Sequence, residues 1–143
     1  MALRVAVADS VFPNLDPARA VLSRIGADLQ LASANTPEAI MTIAADADAD
    51  LVTYAKITAE MIAQLTRCKI ISRFGIGVDN VDLAAATAKG IVVTKVPDYC
   101  IDEVSDHAMA LLLAAVRKIP FSNKQVHAGT WKMPEVVPIR RLR

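Results

Sequence analysis

Five short aliphatic segments, each followed by a turn and a helical pattern, restrict this chain to few architectures. The strand-like segments read LRVAVAD, ADLQLAS, ADLVTYA, KIISRF and IVVTKV. Short helices are predicted between them, over DPARAVLSRIG, TPEAIMTIAAD, TAEMIAQLT and DLAAATAKG. Strands that alternate with helices form parallel sheets covered on both faces. We therefore expect an α/β fold with a doubly wound, five-stranded parallel sheet and two helices on each face.

Capping residues mark where these helices begin. Asp16 is the predicted N-cap of the first helix, with Pro17 at its first helical position and Gly26 as its stop. Apolar residues of this helix share one predicted buried face, namely Val21, Leu22 and Ile25. Threonines are the predicted N-caps of the next two helices, namely Thr36 and Thr58.

Composition excludes several classes of function. Lysine plus arginine total 16 and aspartate plus glutamate total 15, so the net charge of +1 gives no general attraction to nucleic acid or to an acidic membrane. The two cysteines and two histidines lack the spacing of a disulfide framework or a zinc site. The longest apolar run, 108–116, is far shorter than the ~20 residues that cross a bilayer. We expect a cytoplasmic protein without a metal.

Two of the five glycines, Gly75 and Gly77, flank Ile76 directly after the fourth predicted strand. Ligands bind beyond the carboxyl ends of the strands in such sheets, so this turn should lie at the binding edge together with Tyr54. Three interpretations are open: a turn that needs glycine for its backbone angles, a dinucleotide pyrophosphate site, or a nest of amides for one carboxylate. Asn80 stands where a dinucleotide fingerprint has its third glycine, which weakens the second interpretation.

Two other doubly wound families lack support in the sequence. A phosphoacceptor receiver domain has an aspartate after its third strand, whereas this chain has Tyr54 and Ala55 there. A flavodoxin has a hydroxyl-rich phosphate loop after its first strand, and here that loop reads DSVFPNLD, with one serine and bulky apolar residues. Neither a phosphorylated aspartate nor flavin mononucleotide is therefore predicted.

A longer helix of about twenty residues is predicted over CIDEVSDHAMALLLAAVRKI, which is apolar nearly all round in its middle. Helices on both faces already cover the predicted sheet, so this helix should leave the first domain and pack against another domain or subunit. The predicted boundaries are 1–100 for the first domain and 101–143 for the long helix and the start of an incomplete second domain.

The segment 69–119 resembles the D-isomer-specific 2-hydroxyacid dehydrogenases, a family that includes phosphoglycerate dehydrogenase and the C-terminal binding proteins. The similarity lies in the GxGxDNxD turn, the AAxxxGIxV helix and strand, the proline after that strand and the long helix; HAGTWK is similar to a later family segment. It implies that 1–100 is a flavodoxin-like substrate domain. It also implies that 101–143 holds an interdomain helix and the incomplete start of a Rossmann domain that binds NAD or NADP.

The resemblance further implies an oxidoreductase that transfers a hydride between NAD(P) and a D-2-hydroxy acid or 2-keto acid. The catalytic residues and the GxGxxG turn of the family are expected beyond Arg143, so we expect this chain alone to be inactive and to carry no catalytic residue. His107 corresponds to a position on the interdomain helix, where packing is the expected role. The complete protein is expected to be a homodimer.

Correspondence with the family assigns individual contacts. Backbone amides of the turn 75–77 are expected to hold the substrate carboxylate, with Ile76 also near the nicotinamide and Val104 as a second cofactor contact. Tyr99 matches a tyrosine that reaches the substrate in the D-lactate group. Cys100, a further candidate substrate contact, falls where formate dehydrogenases have an asparagine, which argues against formate as the substrate.

Several of these residues have structural alternatives. Tyr54 is either a substrate contact or a crevice wall, and Tyr99 either reaches the substrate or closes a loop. Arg73 either attracts an anion to the turn or points away from it. Asp79 and Asn80 are expected to cap the short fourth helix and to fix the turn rather than to take part in the chemistry.

Two functional classes remain open. The first is the substrate half of a dehydrogenase. The second is a binding protein controlled by dinucleotide, because VPDYCIDEVSDHAMALLL is also similar to the C-terminal binding proteins. The enzyme is favoured, since residues 1–66 show no peptide-docking feature.

Overall fold

A computed structural model describes residues 2–132 of the chain. The chain divides into two compact units, Met1–Tyr99 and Cys100–Arg143. The assignment of 1–100 to a substrate domain and of 101–143 to the start of a cofactor domain stays a prediction. Part of that second assignment, residues 133–143, lies outside the described residues.

The Met1–Tyr99 unit contains a five-stranded, all-parallel sheet within the described residues. Its strands are β1 Leu3–Val7, β2 Ala27–Leu31, β3 Ala49–Val52, β4 Ile70–Arg73 and β5 Val92–Thr94. Their spatial order, β2-β1-β3-β4-β5, is the flavodoxin-like order of doubly wound sheets. In register, Ala49 of β3 lies opposite Val5 of β1 and Ile70 of β4. The predicted fold class is confirmed.

Short helices connect these strands: α1 Asp16–Leu22, α2 Pro37–Ala44, α3 Ala59–Gln64 and α4 Leu83–Ala88. The predicted threonine caps are confirmed, since Thr36 Oγ1 accepts the Ala39 N–H at 3.3 Å and Thr58 Oγ1 accepts the Met61 N–H at 3.4 Å. A 3₁₀ turn follows α1, and Gly26 ends it in the left-handed conformation with φ of 66°.

The start of α1 differs from the prediction. Asp16 is the first helical residue rather than the N-cap, and Leu15 occupies the N-cap position without a side-chain hydrogen bond. Asn14 Oδ1 accepts the Asp16 N–H at 3.0 Å. An asparagine two residues ahead of the helix therefore satisfies the backbone donor locally, as in an Asx turn, and Pro17 is the second helical residue.

Buried apolar residues form two clusters on opposite faces of the sheet. Within the described residues, α2, α3 and α4 all contribute to the larger cluster, whereas α1 contributes to the smaller one, where Leu22 packs against Val7 and Leu29. The expectation of two helices on each face is therefore wrong. Val21 and Ile25 are exposed, so of the predicted buried face only Leu22 packs on the sheet; Ile25 lies in the 3₁₀ turn, where the helical period has changed.

The Cys100–Arg143 unit contains two helices in its described part, α5 Ile101–Val116 and α6 Ile119–His127. The single helix predicted over 100–119 is shorter than expected, because Lys118 adopts a left-handed conformation with φ of 53°. The sequence reasoning missed α6, since Pro120 reads as a break, although proline is tolerated in the first turn of a helix. Neither described helix of this unit has a buried residue.

Some features are absent from residues 2–132. No helix there is long and apolar enough to cross a membrane. That part of the chain also holds no group of three or more His, Cys, Asp or Glu side chains arranged for a metal ion. Cys68 and Cys100 are free thiols.

Candidate functional site

The candidate site is a cavity of about 290 Å³ at the carboxyl edge of the sheet, where ligands bind in doubly wound folds. Its lining residues follow the ends of β1, β3, β4 and β5: Val11, Phe12, Thr53, Tyr54, Phe74, Val96 and Tyr99. The structure thus brings Tyr54 and Tyr99 to one cavity. The sequence reasoning missed Phe12 and Phe74, whose rings contact each other edge to face with centroids 5.5 Å apart. Their proximity to predicted strand ends was the available signal.

Asp9 fixes the loop that carries Tyr54. This nearly buried aspartate follows β1, and its two carboxylate oxygens accept the Thr53 N–H at 2.7 Å and the Tyr54 N–H at 2.8 Å. Thr53 Oγ1 donates to the Asp9 carbonyl at 3.2 Å. Because hydrogen bonds to a carboxylate are among the stronger ones, the end of β1 holds the loop after β3 in place at the cavity.

Asn80 holds the same loop from the other side. Its side-chain Nδ2 donates to the Ala55 carbonyl at 2.9 Å, and its backbone carbonyl accepts the Ile57 N–H at 2.8 Å. The prediction that Asn80 and Asp79 cap α4 is therefore wrong. Asp82 is the N-cap, because it lies directly before the helix and its Oδ1 accepts the Ala85 N–H at 2.9 Å.

The glycine turn follows β4 and borders the cavity through Phe74. Neither Gly75 nor Gly77 has a positive φ, so the turn does not need glycine for a left-handed backbone. A Cβ on Gly75 would lie only 1.4 Å from Nη1 of Arg73, so glycine leaves room for that guanidinium. A Cβ on Gly77 would meet only the flexible Asp79 side chain, with Oδ1 at 2.9 Å.

Positive charge and free amides meet at this turn. The Ile76 and Gly77 N–H groups have no hydrogen-bond acceptor among residues 2–132. The Arg73 guanidinium carbon lies 5.8 Å from the centroid of the Tyr54 ring, and Arg73 Nε is buried without a partner in the described structure. Donors grouped in this way are suited to a single anion such as a carboxylate.

The described residues do not fit the pyrophosphate of a dinucleotide at this turn. The α4 helix has six residues, and the Asp82 carboxylate already occupies its N-terminus. A second negative charge at that place would be repelled, whereas pyrophosphate sites use a free helix N-terminus. The pyrophosphate interpretation of the Gly75–Gly77 turn is therefore rejected.

The remaining predicted contacts lie in the Cys100–Arg143 unit. Cys100 is half-buried and directly precedes α5, on which Val104 and His107 are exposed. Substrate contact by Cys100 and cofactor contact by Val104 stay predictions.

One carboxyl group of the domain is in an unusual environment. Asp50 of β3 is 1% exposed, and its Oδ1 has no hydrogen-bond partner among the described residues. Burial raises the pKa of Asp50 to about 7, opposed by the Leu51 N–H and assisted by the Asp9 charge. By contrast, the Arg4 N–H and the Arg67 side chain hold the pKa of Asp48 below its usual value.

Residues 5–131 match the family described as D-isomer specific 2-hydroxyacid dehydrogenase, catalytic domain. The chain belongs to this family. The resemblance inferred from the GxGxDNxD turn and its flanking segments is confirmed.

Relatives of this dehydrogenase domain are much longer than the chain. D-3-phosphoglycerate dehydrogenase of Mycobacterium bovis is 37% identical over 131 residues, which cover 90% of this chain and 24% of that protein. A formate dehydrogenase structure from Granulicella is 30% identical with a TM-score of 0.69, covering 86% of this chain and 34% of that one. D-Lactate dehydrogenase of Aquifex aeolicus, solved with NAD and lactic acid, has a TM-score of 0.84 at 21% identity, over 96% and 41% of the two chains, and supports the fold.

Proposed function

We propose that this chain is the substrate-binding half of an oxidoreductase that interconverts a D-2-hydroxy acid and its 2-keto acid. The observation that carries the proposal is the turn after β4, where the Ile76 and Gly77 N–H groups have no acceptor among residues 2–132 and the Arg73 guanidinium lies against Gly75. Membership of the 2-hydroxyacid dehydrogenase family supports the same reaction.

Each group at the cavity has a distinct role. The Ile76 and Gly77 amides and the Arg73 guanidinium bind the substrate carboxylate, whereas the Gly75 N–H already donates to the Arg73 carbonyl at 2.9 Å. Tyr54 and Tyr99 form the walls that orient the rest of the acid, and Cys100 is a further substrate contact. Asp9 is a positioning residue, since it acts on the substrate only through the loop that it holds.

The cofactor is NAD or NADP, bound mainly by residues outside this chain. The poor fit of the glycine turn to a pyrophosphate agrees with this division, and the A. aeolicus relative was solved with NAD. Ile76 and Val104 contact the cofactor from this chain. When bound, the nicotinamide would exchange a hydride with C2 of the acid.

The isolated polypeptide is expected to be inactive, because no catalytic residue is assigned within the 143 residues. It should reduce no 2-keto acid and bind NADH weakly. Tight NADH binding in calorimetry would contradict this division between the chain and the rest of the cofactor site.

The intact native protein tests the proposal when it is given a panel of 2-keto acids with NADH or NADPH. Turnover is expected, and Arg73→Gln should lower kcat/KM by about 10- to 100-fold, as for one lost charged hydrogen bond. Arg24→Gln, at an exposed arginine on the 3₁₀ turn, is the matched control and should change nothing. Failure to reduce any 2-keto acid would contradict the enzyme, and binding of partner peptides under the same conditions would then favour the C-terminal binding protein alternative.

The complete protein is a cytoplasmic homodimer in this proposal, with α5 at the interface between two copies. Support comes from further large apolar side chains exposed on that helix: Ile101, Met109, Leu111, Leu112 and Leu113. The free thiols agree with a reducing compartment. A dimer is expected in sedimentation, and a monomer that stays monomeric at high concentration and binds no hydrophobic dye would contradict it.

A further inference from the structure

The chemistry of the cavity lining restricts the side chain of the substrate. Apart from Thr53, the described lining residues are apolar or aromatic, namely Val11, Phe12, Tyr54, Phe74, Val96 and Tyr99. None of these lining residues carries a formal charge at neutral pH. Phosphate groups are bound in proteins mainly by arginine, lysine and clustered backbone N–H groups. The cavity therefore lacks the charged groups that a phosphorylated side chain would need.

The Arg73 cation next to this lining is already accounted for. Arg73 lies over the Tyr54 ring and against Gly75, so its charge is directed to the same turn whose amides are free. A 2-keto acid brings one carboxylate to that turn. A phosphorylated acid would bring two further negative charges, and the lining offers no second cation for them.

The aromatic rim is large and exposed. Phe12, Tyr54 and Tyr99 all have exposed side chains around the cavity, although Phe12 packs against Phe74. A contiguous exposed apolar surface around a concavity is typical of a ligand site. Its volume of about 290 Å³ is ample, since an apolar cavity of about 150 Å³ takes up benzene.

We propose that the substrate is a 2-hydroxy or 2-keto acid with an apolar side chain of aromatic size. This inference rests on the proposed function and narrows it. The carboxylate lies at the turn 75–77, and the side chain enters the space between the Phe12–Phe74 pair and the two tyrosines. The expected substrate thus differs in charge from the phosphoglycerate in the name of the M. bovis relative.

Steady-state kinetics on the intact native protein test this inference, with phenylpyruvate, pyruvate and phosphohydroxypyruvate as probes and NADH or NADPH as reductant. Phenylpyruvate should have the highest kcat/KM, by about tenfold or more over each of the others, because apolar surface is buried only with that side chain. A preference for pyruvate or for phosphohydroxypyruvate would overturn the inference and leave the proposed function intact. If none of the three, nor any other 2-keto acid, is reduced, the proposed function fails, and this inference fails with it.

A pair of lysine variants separates the cavity from the surface around it. Val11 lines the cavity and is 61% exposed, whereas Val21 lies on α1 and is 59% exposed. Val11→Lys should lower kcat/KM for phenylpyruvate at least tenfold and shift the preference towards phosphohydroxypyruvate. Val21→Lys adds the same charge outside the lining and should leave the preference unchanged. If the two variants behave alike, the lining does not contact the substrate side chain and the inference is overturned.

Discussion

The two units of this chain use their apolar residues in opposite ways. In Met1–Tyr99, short strands and helices of three to eight residues bury their aliphatic side chains in two clusters on the sheet. In the described part of Cys100–Arg143, the sixteen-residue helix α5 is longer than any helix of the first unit, yet it buries no residue. A long, hydrophobic helix is therefore not by itself evidence of a buried core. The apolar surface exposed on α5 supports the proposal that this helix packs on a partner.

Leucine-to-alanine substitutions should separate the two units most strongly. Leu65, in the larger cluster, is 2% exposed, whereas Leu111 on α5 is 59% exposed. Leu65→Ala should lower the free energy of unfolding by about 2–5 kcal/mol, because it leaves a cavity in a packed core. Leu111→Ala should change it by less than about 0.5 kcal/mol in the monomer. Urea titration measures both, and equal losses would show that α5 is buried against its own chain.

The change of unfolding free energy with pH that Asp50 causes should be the next largest effect. Its pKa rises from 3.8 to about 7 on folding, so the unfolded chain releases its proton first as the pH increases. The contribution of Asp50 to the free energy of unfolding is fully present below about pH 4. It falls as the pH rises from about 4 to 7 and stays low above that range. The total loss is of the order of 4 kcal/mol, given about 1.4 kcal/mol for each pKa unit. The Asp50→Asn variant should lack this decline.

Asp102 on α5 supplies the matched control for that measurement. It is an exposed aspartate, so Asp102→Asn makes the same chemical change without altering the buried environment of Asp50. Chemical unfolding at about pH 4 and about pH 8 spans the expected window. If the stabilities of the native protein and the Asp50→Asn variant change equally between these two values, the burial of a protonated Asp50 is contradicted.

Helix capping should give the smallest difference between the units. Asp82 caps α4 through the Ala85 N–H, whereas neither α5 nor α6 has a side-chain cap in the described structure. Asp82→Ala should cost about 1 kcal/mol. Asp102→Ala, in the first turn of α5, removes only a favourable interaction with the helix dipole and should cost less than about 0.5 kcal/mol. Thermal unfolding of the two variants checks this order, and a larger loss at Asp102 would contradict it.

Local patterns were sufficient to predict the sheet. Each strand is an apolar run with its own turn, and Thr36 and Thr58 satisfy helix donors three residues away, so neighbouring residues determine both features. The distribution of helices over the two faces was not predictable in this way, because it depends on which side each connection crosses. The break at Lys118 was missed for a related reason, since its left-handed conformation has no signal in a continuous apolar pattern.

Prediction of the site was partial. The positions of Tyr54 and Tyr99 follow from strand ends and from the family resemblance, and both line the cavity. The role of Asn80 was missed, because its partners in the loop 53–57 are more than twenty residues away in sequence. The requirement for Gly75 was also missed, since it arises from the path of the Arg73 side chain over the turn.

The central claim, that the glycine turn binds the substrate carboxylate, is tested most directly by comparing Gly77→Ala with Gly90→Ala in the intact native protein. Gly90 follows α4 with φ of +71°, so alanine there is strained, although no atom lies within 4 Å of the added Cβ and the position is far from the proposed anion site. At Gly77, φ is not positive, and the added methyl group meets only the Asp79 side chain. We predict that Gly77→Ala lowers kcat/KM for a 2-keto acid by about 10- to 100-fold with the melting temperature and NADH affinity nearly unchanged, because the added methyl group occupies the space through which the carboxylate approaches the turn amides and so costs a hydrogen bond. Gly90→Ala should lower the melting temperature and leave the kinetics of the folded protein normal. If Gly77→Ala instead behaves like Gly90→Ala, the glycines serve only the turn and the claim is contradicted.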